Sequence, residues 1–211
     1  MLKVVSLDVG GTLIDFYYAN YVWNVAIPQL YARKKDISFE EAKDYVLREY
    51  DSVGSNDIRW YLPEYWFKHF DLDEDPIEVF RSHIDKVRFY PEVPSVLKNL
   101  SQKYDLIIVS GTPRNVIEIV IEGFRNYFKH IFSSVSDRQE VKKMPQFYEM
   151  ICKVLGIETL AMVHVGDEWY YDFIAPRRIG VKSFFLDRTG EKSGKFVIKD
   201  LRELEDRLAN L

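Results

Sequence analysis

The sequence predicts an α/β fold: a doubly wound parallel sheet with helices on both faces, interrupted early by a helical insert. Three observations carry this expectation. A short apolar run, Val4-Val5-Ser6-Leu7, breaks on Gly10-Gly11, as strands do where an α/β sheet presents a ligand site at its carboxyl edge. From Tyr90 onward, apolar runs alternate with helical segments, the pattern of a parallel sheet whose crossovers are helices. Between these regions, residues 16–90 hold 18 of the 32 aromatic residues and read as helices throughout.

The elements follow in order. Val4 to Leu7 is a buried strand. Tyr17 to Lys34 carries apolar residues at near-helical spacing, and Pro28 should kink or split it. Ser38 and Glu41 form a capping-box pair that opens a helix to about Tyr50. Gly54 to Asp57 is a loop. Asp75-Pro76 supplies a cap and an N1 proline before a helix to about Val87. After Tyr90 come a short helix from Pro94 to Ser101, a strand from Leu106 to Val109 and a helix from Arg114 to Gly123. A strand from Ile131 to Val135 and a helix from Pro145 to Leu155 follow. Strands at Ala161 to Val165 and Val181 to Leu186 precede a closing helix from Asp200 to Leu211. The expected division is a core of residues 1–15 and 91–211 with a helical cap of 16–90.

Composition agrees with one core domain carrying an insert. The 211 residues are short for two full domains. Hydrophobic residues at 47% and charged residues at 29% exclude a disordered chain. A net charge of -4 argues against a dedicated nucleic-acid binder. One cysteine, Cys152, precludes an internal disulfide and suits the cytoplasm. No apolar stretch approaches the roughly 20 residues of a membrane span. The opening Met1-Leu2-Lys3-Val4-Val5 lacks the pattern of a signal peptide.

Four short segments each lie just past a predicted strand, and parallel strands would bring all four to one edge of the sheet. They are Asp8-Val9-Gly10-Gly11-Thr12-Leu13, Ser110-Gly111-Thr112, Lys142-Lys143-Met144-Pro145, and Gly166-Asp167 with Asp172 five residues on. Their chemistry is coherent. An aspartate at a strand end can attack an electrophile and form a covalent intermediate. A hydroxyl beside backbone N–H groups can hold an oxyanion or phosphate. A lysine can neutralise both nucleophile and substrate. Paired aspartates suit Mg²⁺, a hard cation that prefers oxygen ligands.

These motifs, in this order and with this spacing, resemble the haloacid dehalogenase-like hydrolase superfamily, in the subgroup with a helical cap between the first and second motifs. The resemblance covers essentially the whole chain and implies a Rossmann-like core. It further implies that Asp8 is the nucleophile, that Thr12 supports the first loop, and that Ser110, with Gly111 and Thr112, binds phosphate. Lys142 is expected as the family lysine rather than Lys143, because it stands three residues before Pro145, with Tyr148 matching a usual aromatic. Asp167 and Asp172 are expected to hold Mg²⁺ with Asp8 and the Gly10 carbonyl, Asp172 either directly or through water. Arg59 and the Gly54–Asp57 loop are expected at the substrate, since a cap should close over the site.

The sequence departs from the family's phosphatase pattern at one position. Those members usually carry a second aspartate two residues after the nucleophile, which protonates the leaving group. Here that residue is Gly10, and general acid catalysis is typically worth about 10²–10⁴-fold. The metal site retained at Asp167 and Asp172 favours phosphoryl chemistry on a small phosphorylated molecule. A 2-haloacid dehalogenase and a catalytically reduced ligand binder are the alternatives. Glu168 stands as a speculative replacement acid. His164, inside an apolar strand, and Cys152, in a helix, read as core residues. The cluster Trp60, Tyr61, Tyr65, Trp66, Phe67 and Phe70 reads first as cap core and second as a pocket wall. Tyr17, Tyr18 and Tyr21 are expected near the entrance.

Overall fold

A computed structural model describes residues 2–210 of the protein. Met1, and Leu211 at the end of the expected closing helix, lie outside the described residues. Six parallel strands form one sheet: β1 (Val4–Leu7), β2 (Asp105–Ser110), β3 (Phe128–Ser133), β4 (Met162–Gly166), β5 (Lys182–Leu186) and β6 (Val197–Ile198). Their order is β3-β2-β1-β4-β5-β6. The chain therefore builds outward from β1 to β3, then crosses back to place β4 on the other side of β1. That reversal makes a crevice beyond the carboxyl ends of β1 and β4, where open α/β sheets bind ligands.

The strands are short and buried because both faces are covered. Alternation along each strand sends side chains to two separate apolar layers. Val5, Leu7, Leu106, Ile108, Val163 and Val165 enter one layer. Val4, Ile107, Val109 and Met162 enter the other. The first is closed by α6 (Val93–Leu100), α7 (Arg114–Val120) and α11 (Glu203–Ala209). The second is closed by α9 (Pro145–Leu155) and α10 (Ala175–Arg177).

The connection from β1 to β2 carries the helical insert. A continuous helical run begins with α1 (Tyr17–Tyr21), loosens into a π-turn at Val22–Ala26, and continues as α2 (Ile27–Lys35). Pro28 has no N–H to give the ladder, and the widened turn just ahead of it absorbs that gap without a break. The α3 helix (Phe39–Val53) opens on the expected capping box: Glu41 N–H donates to Ser38 Oγ, and Ser38 N–H donates to the Glu41 carboxylate at 3.1 Å. Helices α4 (Pro63–His69) and α5 (Pro76–Ser82) complete the insert. Trp66, Phe67, Phe70 and Phe80 are buried in the same apolar layer as Leu7 and Ile108. The insert thus shares its core with one face of the sheet.

Three boundaries differ from expectation. β3 starts at Phe128, and its expected last residues, Ser134 and Val135, open α8 (Ser134–Arg138), because the Ser133 hydroxyl accepts the Ser136 N–H and caps a new helix. The helix expected to reach Val87 ends at Ser82, where a separate short turn, Ile84–Lys86, follows. β6 is a two-residue edge strand, too short to announce itself by periodicity. No helix among the described residues is long and apolar enough to cross a membrane.

Candidate active site

Asp8 follows β1 directly, and its N–H donates to the Val165 carbonyl of β4 at 3.0 Å. Ser110 ends β2, and Gly166 ends β4 with Asp167 next in sequence. The parallel register brings these ends to one edge, where a cavity of about 560 Å³ opens between sheet and insert. Asp8, Gly10, Ser110, Gly111, Thr112 and Asp167 all line it. Ser110 Oγ accepts the Thr112 N–H at 3.3 Å, which tightens the loop after β2.

The lysine that reaches Asp8 is Lys143, not Lys142 as the spacing to Pro145 suggested. Lys143 is 4% exposed. Its Nζ donates to Asp8 Oδ1 at 2.7 Å and lies 2.5 Å from Asp172 Oδ1. Lys142 lies on the cavity wall, with Nζ 5.1 Å from the centre of the Tyr171 ring. The physical reason is a tight turn in which Met144 N–H donates to the Lys142 carbonyl at 2.9 Å. Consecutive side chains leave that turn in different directions, so only one of two adjacent lysines reaches Asp8.

Three carboxylates gather around Lys143. One oxygen from each of Asp8, Asp167 and Asp172 lies within 4.8 Å of the others. Burial pushes the Asp8 carboxyl above the usual carboxylate range; Lys143 opposes that shift and Asp172 adds to it. Asp167 is pushed up to about 7, first by burial and then by the charges of Asp8 and Asp172. Asp172 goes the other way: burial opposes its charge, but Lys143 and His164 hold it well below the usual range. Burial disfavours the Lys143 charge, yet Asp172 and Asp8 hold its affinity for the proton above that of an ordinary lysine.

Glycines make this crowding possible. Gly11 has φ +70°, and a Cβ there would sit 2.0 Å from Asp167 Oδ2. At Gly166 a Cβ would sit 2.4 Å from Asp172 Cγ. Each glycine lets a carboxylate approach the backbone where no side chain fits.

Asp172 is the most enclosed of the three. It sits in a π-helical segment, Trp169–Ile174. Its Oδ2 accepts the Glu168 N–H at 3.0 Å, and its Oδ1 takes Lys143 and, at 2.8 Å, His164 Nε2. His164 Nδ1 lies 2.8 Å from Ser6 Oγ, so a ring protonated at Nε2 satisfies both contacts. Asp172 is thereby committed to holding Lys143. His164 is a satisfied core histidine whose contacts end on the site.

Arg59 and Thr12 are not brought to the cavity. Asp57 accepts from Arg59 Nε at 3.0 Å and from its NH2 at 2.7 Å, and the neighbours Trp60 and Tyr61 line the cavity instead. Thr12 is fully buried beneath the first loop, and among the described residues its hydroxyl has no hydrogen-bond partner. Of the three early tyrosines, Tyr18 lines the cavity, while Tyr17 packs under Arg88, whose guanidinium carbon is 3.6 Å from the ring centre. The aromatic cluster divides: Trp66, Phe67 and Phe70 are core, whereas Trp60 and Tyr61 are wall. Cys152 is buried, and burial pushes its thiol up to about 11.

The sequence reading missed Arg188. Its Nε donates to the Gly11 carbonyl at 3.1 Å and its NH2 to the Thr12 carbonyl at 2.7 Å. The same NH2 lies 2.8 Å from buried Glu92. The guanidinium also stacks on Tyr90, 3.4 Å from the ring centre. It clamps the loop that follows Asp8. An arginine 176 residues downstream of Thr12 carries no local signal of this contact.

Gly10 has an aromatic neighbour. A Cβ built at Gly10 would meet Phe16 Cε1 at 3.2 Å, and Phe16 is itself on the cavity wall and 54% exposed. The position where related phosphatases carry an acid is thus flanked by an exposed aromatic ring. Asp15 and Glu168 are the further carboxyl groups lining the cavity.

An aspartate-bearing loop after β1, a lysine between carboxylates and a helical insert over the crevice fit a hydrolase class. The chain matches the haloacid dehalogenase-like hydrolase family over residues 2–180 and belongs to it. A GMP/IMP nucleotidase of Escherichia coli is 33% identical over 72 residues, 34% of this chain and 32% of that protein. The matched segment therefore spans about a third of that curated relative's length. A HAD phosphatase from Thermococcus onnurineus is 25% identical, with a TM-score of 0.83 over 98% of both chains. A 2-haloacid dehalogenase from Pseudomonas syringae, 20% identical, shares the fold with a TM-score of 0.71, covering 100% of this chain and 99% of its own.

Proposed function

We propose that this hydrolase is a metal-dependent phosphatase that cleaves a small phosphorylated molecule through an aspartyl-phosphate on Asp8. The supporting observation is the buried Lys143 between Asp8 and Asp172, beside a third carboxylate, Asp167. One lysine among three carboxylates leaves the cluster short of positive charge. Asp167 carries that deficit as a carboxyl pushed up to about 7. An all-oxygen donor set with excess negative charge suits a hard divalent cation. Asp8, Asp167 and the Gly10 carbonyl would hold Mg²⁺, with Asp172 contributing through Lys143 and water. When bound, the ion offsets the charge of the phosphate and of the carboxylates.

The chain's own residues account for the rest. Lys143 pairs with Asp8, favouring its charged form against burial, and aims it from the end of β1. Asp8 Oδ attacks phosphorus, the P–O bond to the leaving group breaks with its electron pair on the leaving oxygen, and that oxygen takes a proton from solvent, which the water attacking in the second step returns. Ser110 and the N–H groups of Gly111 and Thr112 hold equatorial phosphoryl oxygens. Water then hydrolyses the aspartyl-phosphate, releasing phosphate and restoring Asp8. Arg188 holds the Gly11 and Thr12 carbonyls, which fixes the loop through both steps. The insert, with proposed bounds 16–90 over a core of 1–15 and 91–211, closes the cavity against bulk water. The phosphatase and nucleotidase names of the relatives support phosphate esters over haloacids. A single buried cysteine suits the cytoplasm as the working compartment.

The test is phosphate release from 4-nitrophenyl phosphate with Mg²⁺, with EDTA, and in Asp8→Asn. Turnover that needs both the metal and Asp8 is expected. Full activity in Asp8→Asn, or halide release from 2-chloropropionate in place of phosphate release, overturns the reading.

A further inference from the structure

The cavity is much larger than a phosphate needs, and its wall beyond the phosphate end has a definite chemistry. At about 560 Å³ it falls in the range of pockets that enclose a whole small ligand. The insert contributes aromatic rings to the wall: Trp23, Tyr50, Trp60, Tyr61 and Phe80. The cations on the wall are Lys142 and Lys143, adjacent residues on the loop that reaches Asp8. A second anionic group on the substrate, away from the phosphate, would therefore have only Lys142, which lies over the Tyr171 ring, as a countercharge, and would also face the carboxylates of Asp15 and Glu168. Such a burial is costly.

Besides the charged groups, two uncharged polar side chains stand among the aromatic rings of this wall. Asn20 and Asn24 stand four residues apart on the helical run after the first loop, and both line the cavity. Asn20 is exposed and Asn24 half-buried, and among the described residues no hydrogen bond ties either carboxamide, so both are free to bond a ligand in the cavity. Asn24 and Trp23 also lie in the π-turn at Val22–Ala26, a local widening that is frequent at functional sites. A carboxamide offers a donor and an acceptor in one plane. Two of them beside aromatic rings match a flat ring that is apolar on its faces and polar at its edge. Proteins read nucleobases with this combination of stacking and edge hydrogen bonds.

We propose that the cavity above Asp8 is a leaving-group pocket for a planar, uncharged heteroaromatic ring of nucleobase type, whose polar edge is read by Asn20 and Asn24. The proposal rests on the phosphatase reading and deepens it to a substrate class. It places ring-bearing monophosphates ahead of sugar phosphates and phosphorylated carboxylic acids.

The experiment compares kcat/KM for purine and pyrimidine nucleoside monophosphates, pyridoxal phosphate, phenyl phosphate, glucose 6-phosphate and phosphoglycolate. A nucleoside monophosphate is expected to exceed the last two by roughly tenfold or more. The pyridoxal arm separates nucleobases from other heteroaromatic rings. In Asn20→Ala and Asn24→Ala the ratio of nucleotide to phenyl phosphate kcat/KM is expected to fall by about tenfold. Loss of a purely structural role would lower both rates and leave that ratio unchanged. Sugar phosphates matching nucleotides, or an unchanged ratio in both variants, overturns the proposal.

Absence of turnover on every ester would instead count against the phosphatase reading. The pocket is then judged by calorimetric binding of unphosphorylated nucleosides. Binding that weakens in the two variants supports it, and no binding to the unaltered protein overturns it.

Discussion

At the scale of single residues, the site depends on Lys143 being buried between two carboxylates. Removing it leaves Asp8 and Asp172 without their shared partner in a dry pocket. Breaking a buried ion pair typically costs about 3–5 kcal/mol. Lys143→Met is therefore expected to lose activity and to lower unfolding stability by that order in urea titration. Lys142→Met should stay within roughly 0.5 kcal/mol, as partly exposed substitutions usually do. Equal losses in the two variants would refute the assignment. Asp167 gives a pH signature. Its carboxyl is held at about 7 against an ordinary 3.8, so between these values the folded chain keeps a proton that the unfolded chain has released. Stability of the metal-free protein must then fall as pH rises through that window. Melting temperatures from pH 4 to 7 should show the decline, and Asp167→Asn should flatten it, leaving the contribution of Asp8. Gly10 invites the reverse experiment. Gly10→Asp places a carboxyl beside Phe16, whose exposed ring can yield the few tenths of an ångström required. A proton donor helps a poor leaving group most. Turnover of an alkyl phosphate should therefore rise relative to an aryl phosphate, and an unchanged ratio would show that protonation is supplied elsewhere.

At the scale of elements, loops and caps decide what the strands deliver. The first loop hangs from β1 and is held at its far side by Arg188, which also neutralises buried Glu92 and covers Tyr90. Arg188→Met is expected to reduce kcat well beyond its effect on KM, because it lets the loop after Asp8 wander while leaving the cavity wall in place. An equal change in KM with kcat intact would argue against a positioning role. Strand ends, capping boxes and N1 prolines were legible in the sequence because their causes are local. Ser38 and Glu41 act over three residues, and Gly10-Gly11 acts on its neighbours. The short helix at Ser134–Arg138 and the edge strand at Val197–Ile198 were not, since a hydroxyl cap and a two-residue ladder leave no periodic trace. The choice between Lys142 and Lys143 failed for the same reason: a tight turn reorients adjacent side chains, and spacing to a proline does not record it.

At the scale of the molecule, insert and sheet share one apolar layer. Trp66, Phe70 and Phe80 are counted in the same buried cluster as Leu7 and Ile108. Heat should therefore melt the protein in one cooperative transition. Trp66→Ala, which empties a fully buried site in the insert, should cost about 3–5 kcal/mol of the whole. Calorimetry that resolves two separate transitions would show that the insert has a core of its own. By itself the sequence determined the order of elements, the helical insert, the aspartates at the strand ends and the glycines beside them. Each of these rests on short-range sterics, hydrogen bonding or hydrophobic period. Only the tertiary structure decided which lysine meets Asp8, that Arg188 clamps the loop, that Arg59 pairs with Asp57 away from the cavity, and that Asn20 and Asn24 line it. Those are contacts across the fold, set by how the packed layers turn side chains toward or away from a buried space.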